Sequence, residues 1–243
     1  MKKFLFFVLL SLLTVLFVFG NVRNSFAEKP EEDERTHVKI HHIPGNPELE
    51  KMVFIFRKAK TKGAPAPATD ANTSYKLISN GLHWETLPVS FGINSPAYFS
   101  EIVKAFEQWD NFTSKNLFSS PTAITGGSLE RDNTNTIFWQ PLSALFGSEV
   151  IAITQIIYNT RTRIILESDM AFNSDLPWGI ANPDAFDIQN IATHELGHVL
   201  SLDDLYKTIT SELTMYGYAI EGETKKQTLG EGDKLGLWKV YGN

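Results

Sequence analysis

The chain has 243 residues, no cysteine, 42% hydrophobic and 21% charged side chains, and a formal net charge of −6. This length and apolar content suffice for a buried core. The acidic balance argues against a nucleic-acid binder, and the missing thiols exclude disulfides, cysteine-ligated zinc and thiol-based latency.

Lys2 and Lys3 precede an almost continuous apolar run from Phe4 to Phe19, and Ser25 and Ala27 supply small residues before a cleavage point. This pattern predicts an export signal over residues 1–27 with a mature start near Glu28. The alternative is an uncleaved anchor, although the run falls short of the roughly 20 residues of a spanning helix. The folded part is therefore expected to be secreted, or held at the cell surface if the segment is retained. Membrane contact is expected only in the second case.

Residues 28–74 read as an N-terminal segment and linker, and as a candidate inhibitory prosegment. Residues 28–36 are charged and contain proline, a composition that resists packing. The alternating stretch His37–His41 and the apolar run Met52–Phe56 predict a strand or two. Residues 61–74 are small, polar and proline-rich, which marks a linker.

From Tyr75 to Asn243 the composition is that of a compact domain. Leu87–Ile93 reads as a strand. A helix is expected with Ser95 as N-cap and Pro96 in its first turn, and Phe99, Ile102, Val103, Phe106 and Trp109 give it one apolar face. Thr136–Trp139 is a short strand. Val150–Tyr158 and Arg163–Phe172 are β-rich runs joined by a turn at Asn159–Thr162. A further helix is expected from an Asp187 N-cap, with Ile188, Ile191, Val199 and Leu202 as its buried apolar residues, and a last one from Asp233. The pattern is α+β, with an α/β-like alternation around one sheet.

The sequence His194-Glu195-Leu196-Gly197-His198 lies on the second of these helices. Residues four apart share a helix face, so His194 and His198 can offer two imidazoles to one metal ion. Glu195 is placed to act as general base on a zinc-bound water. Two chance histidines on this apolar helix would be costly to bury unpaired. Catalytic zinc takes three protein ligands, and Asp204 lies six residues beyond His198. An acid just past a helix C-terminus is disfavoured by the dipole, which favours a compensating cation there. Asp203 is the fallback third ligand.

The spacing resembles the metzincin pattern H-E-x-x-H-x-x-G-x-x-H, with Ser201 at the glycine position and Asp204 at the last histidine. Leu213–Tyr218 resembles the family's Met-turn, with Met215 beneath the metal. Ser168–Asn173, Leu229–Asp233 and Val240–Gly242 are similar to flanking segments of matrixin-like metzincin peptidases. The resemblance covers about 170 residues from Tyr75 onward and is specific because its motifs occur in order.

It implies a zincin-type domain: a twisted mixed five-stranded sheet, three helices, and one catalytic zinc in a cleft. The implied activity is zinc-dependent hydrolysis of peptide bonds in an extended peptide or protein substrate. That substrate would pair along an edge strand near Val150–Tyr158, with Tyr216 and Tyr218 in the pocket wall. A monomer is expected. The alternative is a secreted, catalytically silent zincin-fold binding module. A serine at the glycine position requires αL backbone at roughly 1 kcal/mol or more.

Other groups are weaker candidates. His37, His41 and His42 are irregularly spaced, which predicts a surface strand rather than a second metal cluster, and His83 reads as a packed or surface residue. Asp132, Asn133 and Asn135, and Asn173 with Asp175, carry oxygens suited to Ca2+. Turns use the same residues.

Overall fold

The structure is a computed structural model that describes residues 37–59, 69 and 71–243. The export signal, the charged stretch 28–36 and most of the proline-rich linker lie outside the described residues. No helix among them is long and apolar enough to cross a membrane.

The strands are β1 (Val38–Ile43), β2 (Asn46–Lys58), β3 (His83–Trp84), β4 (Gly92–Ile93), β5 (Thr122–Ala123), β6 (Thr136–Gln140), β7 (Val150–Asn159), β8 (Ile164–Asn173), β9 (Trp178–Gly179), β10 (Phe186–Asp187) and β11 (Tyr218–Ala219). The helices are α1 (Phe99–Asp110), the single turn α2 (Ser143–Phe146), α3 (Ile188–Val199) and α4 (Glu231–Tyr241). The main sheet runs β1-β2-β7-β8-β6-β4-β5, with β11 added at β2 and β3 at β8. It is mixed: β7 pairs antiparallel with β2 and β8, whereas β6 pairs parallel with β8 and β4. The sheet is larger than five strands because the N-terminal hairpin and several two-residue strands join it.

Met52–Phe56 is apolar without alternation, and each of these residues is buried. That is the signature of a strand covered on both faces. Phe56 packs into the core that holds α1 and α3, while Val53 and Ile55 join Leu142, Val150 and Ile153 on the other side. β7 is buried along almost its whole length. The resemblance implied an edge strand here, open to a peptide. Instead β2 occupies that edge from Leu49 to Arg57, its continuous apolar run being suited to a strand buried on both faces.

Helix α1 and helix α3 pack together against the sheet. Ile102, Ala105, Phe106 and Trp109 are buried, and the Trp109 indole donates to the Thr193 carbonyl at 2.9 Å. Helix α1 starts at Phe99 rather than beside Ser95, since Tyr98 (φ −127°, ψ 15°) breaks the helical run and the preceding residues form a turn. The expected strand Leu87–Ile93 is regular only at Gly92–Ile93; Pro88 carries no N–H to donate to a ladder. The hairpin turn at Asn159–Thr162 is present. The Asn159 side chain accepts the N–H groups of Arg161 and Thr162, and Arg163 takes the αL conformation at φ 61°.

The closing helix begins at Glu231, two residues before the expected start, because Gly230 is its N-cap. Asp233 instead sits in the first turn with its side chain folded back. Its buried carboxylate accepts the N–H groups of Gly230 (2.9 Å), Thr214 (2.8 Å) and Met215 (3.1 Å). One side chain thus ties α4 to the turn that carries Met215. Asp233→Ala strands three buried backbone donors and is expected to lower stability by about 3 kcal/mol. Urea denaturation of both proteins checks this, and a loss under about 1 kcal/mol would remove Asp233 as the anchor of that turn.

Candidate metal centre

Helix α3 starts where the sequence placed it. Asp187 (φ −78°, ψ 125°) accepts from the Asn190 N–H at 2.8 Å. From Asn190 to Val199 every residue is buried, so the imidazoles and the Glu195 carboxylate sit in the interior. Gly197, between the two histidines, lies against the turn that follows: a Cβ there would clash with Met215 Sδ.

The helix then turns sharply. The Leu202 N–H donates to the Gly197 carbonyl (2.9 Å) and the Ser201 N–H to the His198 carbonyl (2.8 Å). This pair of bonds is a Schellman ending, whose left-handed position usually holds glycine. Ser201 occupies it at φ 76°, as the metzincin spacing required. The segment before β3 holds the turn from outside, with Ile78 N–H donating to the Ser201 carbonyl and Asp203 N–H to that of Lys76.

The turn separates the two candidate acids. Asp203 points to Lys76, 3.1 Å away. Asp204 points inward, its Oδ1 lying 3.2 Å from His194 Nε2 and 3.7 Å from His198 Nε2. All three ligand atoms lie within 4.8 Å of one another. Among the described residues this is the one group of three or more such side chains close enough to share an ion.

Each imidazole is oriented by a backbone carbonyl. His194 Nδ1 meets the Thr214 carbonyl at 2.7 Å and His198 Nδ1 that of Leu202 at 2.9 Å. A carbonyl can only accept, so each Nδ1 carries the proton and each Nε2 presents its lone pair to the centre. The two Nε2 atoms, Asp204 Oδ1 and Glu195 Oε1 are buried without a hydrogen-bond partner. Four such orphans side by side are rare in a folded interior, and the first three form a donor set suited to zinc.

Burial works against charge on Asp204, yet the facing histidines and the Tyr206 hydroxyl, which donates to Oδ2 at 2.9 Å, hold its pKa down at about 2. Burial pushes His198 down to about 4. It also opposes protonation of His194, but the facing Asp204 carboxylate outweighs it and raises that pKa. Burial lifts Glu195 to about 7, against the charge of His194 and a hydrogen bond from Thr154.

Met215 is buried, with its side chain against Gly197 of α3. Tyr218 lies in β11, where it pairs with Arg57 of β2. Tyr216 is half-buried, with Lys226 Nζ 5.7 Å from its ring centre. His37 is buried rather than on a surface strand, with Nδ1 near the Ile55 carbonyl and Nε2 3.4 Å from the Tyr218 hydroxyl. His41 and His42 are exposed and His83 is half-buried in β3. Oxygens of the calcium candidates serve turns and strand ends: Asp132 caps Thr134, Asn135 accepts from Ser168, Asn173 from Leu142 and Asp175 from Ser143. Thr154, Tyr206 and the Thr214 carbonyl had no local signal, since only the fold brings them to the helix.

Ser201 should be the weak point of the site. Its backbone is left-handed and its buried hydroxyl has no hydrogen-bond partner. Ser201→Gly relieves both and is expected to gain about 1 kcal/mol, after allowing for glycine's extra freedom in the unfolded chain. Thermal unfolding reads the change; a lower midpoint would mean that the hydroxyl is held by something else.

Residues 153–242 match the matrixin family model. Matrix metalloproteinase-16 of Homo sapiens, Rattus norvegicus and Mus musculus is 37% identical over 76 residues. That match covers 30% of this chain, which in turn spans 12% of the length of these curated relatives. The family is one of zinc-dependent metallopeptidases. The matched stretch supplies both histidines, the acid after the helix, the turn at Met215 and the helix that Asp233 ties to it, so this part of the chain is matrixin-like.

Proposed function

We propose that this protein is a secreted zinc-dependent endopeptidase, with His194 Nε2, His198 Nε2 and Asp204 Oδ1 as zinc ligands and Glu195 as general base. The observation that carries the reading is Glu195 Oε1, buried and without a partner beside three equally orphaned ligand atoms. Zinc supplies Lewis-acid chemistry: it acidifies water and polarises a scissile carbonyl. The Lys2–Phe19 pattern supports export.

The protein's own part is proton handling and orientation. Glu195 is anchored through Oε2, which accepts from the Thr154 hydroxyl, leaving Oε1 to take a proton from the attacking water. A carboxylate so placed can accept that proton and return it to the leaving amine. Tyr206 and the carbonyls of Thr214 and Leu202 hold Asp204, His194 and His198 in place. Such supporting bonds are typically worth about 10–100-fold in metal affinity or activity.

Glu195→Gln keeps the shape and all three ligands but cannot accept a proton. Casein hydrolysis by zinc-loaded protein should fall by about 10²–10⁴, with zinc content unchanged by elemental analysis. A variant that cleaves casein at the native rate would rule out Glu195 as the base. A wild-type protein that holds zinc, has its cleft open and still cleaves nothing would favour the silent binding module.

A further inference from the structure

The atoms assigned to the chemistry are sealed. His194, Glu195 and His198 are 0% exposed and Asp204 2%, yet a peptide must reach them. What lies over them is β2. Its Phe56 ring stacks on His194, with centroids 3.8 Å apart and planes at 9°, and its Phe54 ring stacks on His198 at 4.2 Å and 17°. Phe54 stands opposite Thr154 in the β2–β7 register, and Thr154 is the residue that anchors Glu195. The two rings therefore cover both histidines and the position beside the base.

The backbone of β2 is held as a bound peptide would be. It pairs antiparallel with β7 from Leu49 to Arg57, and parallel with β11 through Arg57–Tyr218 and Lys58–Ala219. The slot between β7 and β11 is thus filled by the chain itself. A second tie comes from the residue before β1. The Ile55 N–H donates to the His37 carbonyl at 2.7 Å. The His37 ring lies 4.8 Å from that of Tyr206, which holds Asp204.

We propose that β2 is a built-in occupant of the peptide-binding slot. The hairpin β1–β2 keeps the centre closed, and β2 must leave its place between β7 and β11 before a substrate can enter. The occupant also indicates the substrate class. This is an extended peptide with large apolar, aromatic-type side chains at alternate positions, seated as Phe54 and Phe56 are, the latter with Lys226 Nζ 6.0 Å from its ring centre. Pairing to the strand edge gives such a peptide affinity, and pockets for alternate side chains give specificity. A tethered occupant lowers apparent affinity by the fraction of time the slot is open. In a chain without cysteine, aromatic rings rather than a thiolate do the covering. This proposal rests on the peptidase reading for the identity of the site.

The absence of cysteine makes a clean test available. Lys51 and Ile157 are register partners across β2 and β7. By strand alternation, Lys51 is on the face away from the rings of Phe54 and Phe56. In the full chain carrying Glu195→Gln, Lys51→Cys with Ile157→Cys can form a cross-strand disulfide that pins β2. A release variant adds Phe54→Ala and Phe56→Ala. The probe is a fluorescein-labelled peptide of the sequence Glu48–Lys58, followed by fluorescence anisotropy. The reduced release variant should bind it about 10-fold or more tightly than the unsubstituted Glu195→Gln chain, and oxidation should abolish that gain.

If the alanine pair fails to fold, the chain carrying Lys51→Cys and Ile157→Cys with both phenylalanines intact decides, because its oxidised and reduced forms compare the same chain. Weaker binding when oxidised supports the proposal. Equal binding in the two forms overturns it, as does a folded release variant with no gain. The two readings fail separately. With Glu195 restored, a zinc-loaded release variant that binds the peptide but cleaves neither it nor casein contradicts the peptidase reading alone. A pinned chain that cleaves casein as fast as its reduced form contradicts the occupant proposal alone.

Discussion

The architecture of the site depends on one constraint: three ligand atoms of unlike charge held together where water does not reach. Asp204 Oδ1 stands between two imidazole nitrogens, and none of these atoms has a hydrogen-bond partner. Leaving such groups buried and unpaired is expensive. Their geometry is nevertheless fixed from outside, by two carbonyls that set the imidazole tautomers and a phenol that holds the carboxylate. A cation at the centre satisfies all three at once, and zinc accepts this mixed nitrogen and oxygen set.

That constraint explains why the surrounding elements are tightly joined. The helix must end in a left-handed residue for Asp204 to turn back under it, and Ser201 accepts that conformation despite its cost. Gly197 must lack a side chain so that Met215 can lie against the helix. Asp233 must gather the N–H groups of Thr214 and Met215 so that the Thr214 carbonyl faces His194. Each of these devices acts on a different segment, and all converge on the same three atoms.

Much of this was legible in the sequence, for physical reasons. The spacing of His194, Glu195 and His198 encodes one helix face, and Asp187 announces the helix start through its capping chemistry. The position of Ser201, where the spacing calls for glycine, implied its unusual backbone. What could not be read is what depends on contacts between distant segments. Tyr206 is an ordinary tyrosine until the loop brings it to Asp204. Asp233 looks like a helix-starting acid, and its role appears only when the Met215 turn is placed beside it.

The largest departure lies in β2. Its run Met52–Phe56 was legible as a strand, but nothing local says that it will pair with β7 and lay two rings over the histidines. The centre beneath those rings is the core of the account, and zinc binding tests it most directly. Titration of chelator-stripped protein with zinc should show about one tight site per chain in the wild type. The same titration should show that site weakened by orders of magnitude in Asp204→Ala. Wild-type protein that takes up no zinc, or an alanine variant that binds it as tightly, would contradict the assignment.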